Sequence, residues 1–151
     1  KIQTPSILTS SATVLFGKKG LLSVDYISKN YANTQFKPTK EIIYSTLNTQ
    51  IKNELQDNYE LRIGGEYKIK QWSVRGGYRF EQSPYKVKTA FGDVTSYSSG
   101  LGYNFGNSKL DISYTNENRE RTEALLTSGL NDTARIKNKN NNVTLTYVVN
   151  F

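Results

Sequence analysis

Two neighbouring stretches hold the residues best equipped for chemistry: Glu60, Arg62, Glu66 and Lys68, then Arg75, Arg79 and Glu81. In both, the charges fall on alternating positions, so in an extended chain each set lines one face of a strand. Mixed signs on adjacent strands pair across the ladder, each pair contributing roughly 0.2–1 kcal/mol. That is the chemistry of a polar interior wall, although a solvated sheet face carries the same pattern. Acid–base and nucleophilic catalysis are poorly served. The chain has no His and no Cys, which removes the usual general base, the thiolate and the commonest metal ligands. Ser, Asp and Glu remain, with no spacing that singles out a pair. The expectation is a protein that is not an enzyme and uses no cofactor or metal.

The elements that position these charges are strands with one apolar face. Tyr59, Leu61, Ile63, Gly65, Tyr67 and Ile69 oppose Glu60 to Lys70, and Trp72, Val74, Gly76, Tyr78 and Phe80 oppose Ser73 to Glu81. Five further segments alternate likewise: Leu8 to Phe16, Leu22 to Tyr31, Tyr97 to Phe105, Leu110 to Thr115 and Val143 to Phe151. Inward-facing Gly64, Gly77, Gly100 and Gly102 leave room for large neighbours or a passage. Seven strands are therefore expected. Their connections alternate in length. Tight turns join Phe16 to Leu21, Ile69 to Ser73 and Phe105 to Lys109, while long polar connections span 32–57, 83–95 and 118–140. Short turns on one side and long loops on the other are the layout of an outer-membrane barrel. The fold class expected is all-β: an antiparallel transmembrane β-barrel, with the chain's last strand ending on the periplasmic, short-turn side.

Composition agrees. Among 151 residues, 36% are hydrophobic and 12% aromatic, including eleven Tyr, which suits half-apolar strands. No run nears the roughly 18 apolar residues of a spanning helix. The net charge of +7, with Tyr interleaved among Lys and Arg, is the pattern of a nucleic-acid stacking surface. Such a binder would leave its apolar strand faces in water, so no nucleic-acid partner is expected.

Aromatic residues fall at both ends of the strands. Phe16, Trp72 and Phe105 sit beside the short turns, and Tyr31, Tyr59, Phe80 and Tyr97 toward the opposite rim. They are expected to form the two interfacial girdles of a membrane barrel. Val143, Leu145, Tyr147, Val149 and Phe151 make a terminal amphipathic strand. Its expected second role is as a carboxyl-terminal signal read by a barrel-assembly machine.

One segment breaks the pattern. Within Glu41 to Leu55, Ile43, Leu47, Ile51 and Leu55 recur every fourth residue, which predicts a short amphipathic helix inside an external loop. Its stripe packs on the rest of the loop, on a barrel mouth, or on an apolar ligand. These four residues are the candidate ligand contact.

The run LFGKKGLLSVDYISKNYANTQF from Leu15, the run ELRIGGEYKIKQWSVRGGYRFEQSPYK from Glu60 and the G-L-G-Y-N-F hairpin strand from Gly100 add a further indication. Taken in order, they resemble the carboxyl-terminal half of the FadL/OmpP1/TodX family, in its Bacteroidetes-type branch. The resemblance implies a fourteen-stranded outer-membrane barrel with an amino-terminal hatch, taking up long-chain fatty acids and other hydrophobic compounds. It implies the lipid bilayer and hydrophobic small molecules as partners. Seven strands are half of that, and bacterial single-chain barrels have even strand numbers from eight upward. Two expectations follow. Either an eighth strand lies near 34–45, or residues 1–151 are a single barrel region, a carboxyl-terminal fragment lacking hatch and amino-terminal strands and completed by that missing half or another chain. The absence of a leader-like apolar segment at Lys1 favours the fragment. The leading expectation is passive uptake through the barrel; the alternative is a structural barrel subunit or folding substrate recognised by its last strand.

Overall fold

The structure, a computed structural model, describes residues 1–88, 91–124 and 133–150. Among the described residues, nine strands and one α-helix follow in order: β1 (Ile2–Gln3), β2 (Ser6–Phe16), β3 (Gly20–Asn30), β4 (Gln35–Phe36), α1 (Ile42–Glu54), β5 (Asn58–Ile69), β6 (Trp72–Glu81), β7 (Val94–Asn104), β8 (Ser108–Ala124) and β9 (Thr133–Val149). A 3-10 turn, Tyr31–Asn33, follows β3, its free Asn33 N–H donating to the Asn30 side chain at 3.2 Å.

Seven strands form one antiparallel sheet in the order β2-β3-β5-β6-β7-β8-β9. Every neighbour follows its predecessor in this sheet, as simple hairpins require. The three short turns each hold a residue in the left-handed region: Gly17, Lys70 and Gly106. Tight hairpins need such conformations, and Lys70 adopts one despite its side chain. The sheet is not closed: β2 and β9 are its two edges. In place of the expected closed barrel, the described residues form an open sheet of seven strands.

Two expectations are corrected. The stretch 118–140 is not mainly loop, because β8 runs on to Ala124 and β9 begins at Thr133. Paired backbone groups carry this hairpin well past the point where apolar alternation ends. Nor does an eighth wall strand lie near 34–45. Residues Gln35–Phe36 instead pair with Ile2–Gln3 in a separate two-stranded ladder, a patch too short to extend the wall.

The burial pattern is inverted relative to a water-soluble domain. Among the described residues, only Ile27 and Val94 are buried apolar side chains, whereas Glu60, Asn58, Ser73, Ser83 and Ser96 are buried polar ones. Leu22, Tyr67, Trp72, Val74, Leu101, Ile112 and Leu145 all stand exposed on one face. A continuous apolar surface of this extent has to meet lipid or protein.

Candidate functional site

Register builds the two faces of the wall. On the apolar side, Phe16, Gly20, Tyr67, Val74, Leu101, Ile112 and Leu145 are successive cross-strand partners. At the short-turn end Trp72 meets Tyr103 edge-on, with ring centres 4.7 Å apart, and Tyr103 meets Phe105 at 4.6 Å. Toward the long-loop end Tyr59 packs between Tyr26 and Phe80. The uppermost outward aromatic drops by two register positions with each strand, through Tyr59, Phe80, Tyr97 and Tyr114. A level lipid boundary crossing strands that lean from the membrane normal produces a staircase in this direction. Tyr114 is part of this rim and lies outside the girdle expected from sequence. Tyr31 is placed differently from its companions: it sits in the 3-10 turn and lines a cleft with Tyr85, Phe91 and Val94.

The opposite face carries two charged tiers. In the upper tier, Glu60 is only 1% exposed and accepts from Lys29 at 2.9 Å, from Arg62 at 2.6 Å and from Arg79 at 2.6 Å. Lys29 also reaches Glu81 at 2.7 Å, and Arg79 reaches Glu117 at 3.1 Å. Arg62 and Arg79 are direct cross-strand partners, so Glu60 is what keeps two like charges together. In the lower tier, Arg75 donates to Glu66 and to Asp111, each at 2.5 Å, and Lys109 adds a contact to Asp111 at 3.1 Å. Between the tiers runs an uncharged row: Thr13, Ser23, Gly64, Gly77, Ser98, Thr115 and Asn142. The charges named from sequence therefore do meet, as ion pairs along one wall. Sequence reading missed the pairs Lys29–Glu60, Arg75–Asp111 and Arg79–Glu117, whose members lie 31, 36 and 38 residues apart in the chain.

The loops above the wall are knotted together by the S-P-Y segment. Ser83 is buried, its N–H donates to Asp93 at 2.8 Å, and its carbonyl accepts from the Gln56 side chain at 3.1 Å. Pro84 and Lys86 then bind the backbone at the end of α1, at Gln56 and Glu54. The helix forms where the spacing predicts. Its anchoring face is Tyr44, Asn48, Ile51 and Leu55. Asn48 accepts from the Phe36 N–H at 2.6 Å and donates to the Phe36 carbonyl at 3.0 Å, while Tyr44 stacks on Phe36. Of the four candidate ligand contacts, Ile51 and Leu55 are half-buried and Leu55 bridges to Tyr85. Ile43 is 73% and Leu47 37% exposed. The four are thus split between the packed side and the open side of the helix. Val143, Leu145, Tyr147 and Val149 project from the free edge strand β9; Phe151 lies outside the described residues.

No carboxylate cluster of metal-binding size occurs among the described residues; Glu60, Glu66, Glu81, Asp111 and Glu117 of the wall are each engaged by a cation. The arrangement is a two-sided wall, apolar outward and ion-paired inward, topped by an amphipathic helix.

The model of the family of outer-membrane transport proteins OMPP1/FadL/TodX matches residues 1–151. No curated protein and no solved structure matches the chain. A wall with one lipid-type face and one charged face is what such a transporter is built from, and its members are transport proteins rather than enzymes. Matched along its whole length, this chain belongs to the OMPP1/FadL/TodX family of bacterial outer-membrane transport proteins.

Proposed function

We propose that the chain forms part of a passive conduit for hydrophobic compounds of the long-chain fatty acid type. In this reading the long loops face outward from the cell, and the short hairpins and the end of β9 face the periplasm. The observation that carries it is the exposure of Ile43 and Leu47 on a helix that Asn48 and Leu55 hold fixed above the wall. An apolar chain laid there sheds water, gaining roughly 25 cal/mol per Å² of surface covered. Ile51 and Leu55 then lead toward Tyr85 and the cleft of about 310 Å³ that Tyr31, Phe91 and Val94 also line. The free edges β2 and β9 cannot face lipid unpaired, so the working wall includes further strands joined to both. The test is competition for uptake in cells carrying the protein. Saturation by long-chain fatty acids, and not by sugars or peptides, is expected; saturation by sugars overturns the cargo class.

A second reading rests on β9. Val143, Leu145, Tyr147 and Val149 stand exposed along an edge strand whose outer backbone groups await a partner. This supports a role as the strand presented to a barrel-assembly machine, with Phe151 at its end. Insertion yield after deletion of Phe151 tests it, and an unchanged yield rejects it.

A further inference from the structure

The β8–β9 hairpin continues beyond the aromatic rim, and its outward face changes character there. Above Val143 the outward residues of β9 are Asn141, Lys139, Lys137 and Arg135. Sidedness is fixed by contacts: the Tyr114 hydroxyl and the Asn116 amide both donate to Asn141, at 2.8 and 2.6 Å. Arg135 and Lys137 are 66% and 56% exposed. Glu120 partners both, so among the described residues of this outward stripe three cations face one carboxylate. Lys139 has no ion pair among the described residues.

From this stripe we infer a binding surface for the phosphorylated headgroup of an outer-leaflet glycolipid. Two features identify the occupant. The basic stripe lies in line with the apolar belt of Val143, Leu145 and Tyr147, with only Asn141 between them, so one amphiphile can cover both. Its height supplies the second. The eight residue steps from Val143 to Arg135 rise about 26 Å along the strand, or about 20 Å along the membrane normal after tilt. A phospholipid headgroup layer is only about 5–8 Å thick, whereas an extended polyanionic sugar headgroup reaches this far. A cleft of about 490 Å³ lies beside the stripe, lined by Lys88, Asp93, Thr95, Asn118, Glu120 and Arg135. Its floor is fixed, because the Gly92 N–H binds the Glu120 carbonyl at 2.8 Å and a Cβ at Gly92 would lie 2.5 Å from that oxygen. Arg135 and Lys137 supply fork and point-charge donors for phosphate, and anionic headgroups strengthen with each cation near the surface.

The inference rests on the membrane orientation proposed above, and the test separates the two. The folded protein is placed in nanodiscs holding equal amounts of a glycolipid with an extended, multiply phosphorylated sugar headgroup and its dephosphorylated form. Retained lipid is then counted by native mass spectrometry. Preferential retention of the phosphorylated form is expected. The triple variant R135Q/K137Q/K139Q should lower that preference on the order of a hundredfold, from three charges lost. The charge-preserving variant R135K/K137R/K139R should keep it. Equal retention of both lipids, an unaltered preference in the glutamine variant, or displacement by millimolar inorganic phosphate overturns the inference. Quenching of Trp72, the only tryptophan, by brominated acyl chains reports insertion independently. A quenched Trp72 without lipid preference defeats this inference alone; an unquenched Trp72 defeats the membrane reading with it.

Discussion

Arg75 on β6 binds Asp111 on β8, two strands away, at 2.5 Å between Nη1 and Oδ1. The guanidinium crosses β7 where that strand carries Gly100 and Gly102, the register partners of Arg75 and Asp111. A Cβ on Gly102 would sit 2.2 Å from the Asp111 carboxylate oxygen. The missing side chain at Gly102 is what leaves the Asp111 carboxylate its place beside Arg75, a role no pattern of apolar residues announces.

Substitution G102A should therefore displace Asp111 and cost about 1–2 kcal/mol. The matched control is G76A on the lipid side, where an added Cβ meets nothing within 4 Å; it should be neutral or slightly stabilising. Urea unfolding of the two variants in detergent distinguishes them.

Glu60 holds three cations of the upper tier. E60Q leaves Arg62 and Arg79 side by side without their shared carboxylate, and should cost about 2–4 kcal/mol. E117Q removes one partner, at the tier's more exposed end, and should cost well under half as much. The same unfolding measurement ranks them.

On α1, I43E or L47E should reduce uptake of a fluorescent fatty acid severalfold while leaving unfolding unchanged, because both side chains stand exposed. N48A removes two hydrogen bonds to Phe36 and should loosen the helix by about 1–3 kcal/mol. Uptake and proteolysis of the loop, measured together, separate contact from anchoring.

Glu120 lies above the lipid belt, and hydrogen bonds from Arg135 and then Lys137 hold its carboxyl below the ordinary value of 4.5. A lowered folded value means the pairing stabilises the hairpin fully above the ordinary value and is lost as pH falls beneath it. Amide exchange at residues 133–137 should be flat from pH 8 to pH 5 and quicken only in stronger acid, beyond its intrinsic pH trend. E120Q should abolish that extra acid step.

The seven wall strands were legible because lipid demands alternation, and Trp72 to Phe80 displays it without a gap. The hairpin beyond Tyr114 was not. Once both faces are wet, Asn116, Asn118, Lys137 and Lys139 read as loop, although the backbone ladder persists. The helix was legible, but its seat was not. A spacing of four drifts around a helix of 3.6 residues per turn, and the residue that fixes the packed side is the polar Asn48. Glu60 looked like any wall charge, since its burial depends on Lys29, whose register an apolar pattern cannot supply.

The crossing of β7 by Arg75 bears on alignment. A slide of β8 along β7 by two residues would keep every apolar side chain toward lipid and every interior ladder bond made, because the side-chain period is two. Greasy and polar alternation is blind to that error. The guanidinium is not: after such a slide Arg75 would face Ser113 or Lys109 in place of Asp111, and Arg79 would likewise lose Glu117. The long-range ion pairs thus act as a proofreading key for strand pairing, rejecting a misalignment that the membrane itself would accept.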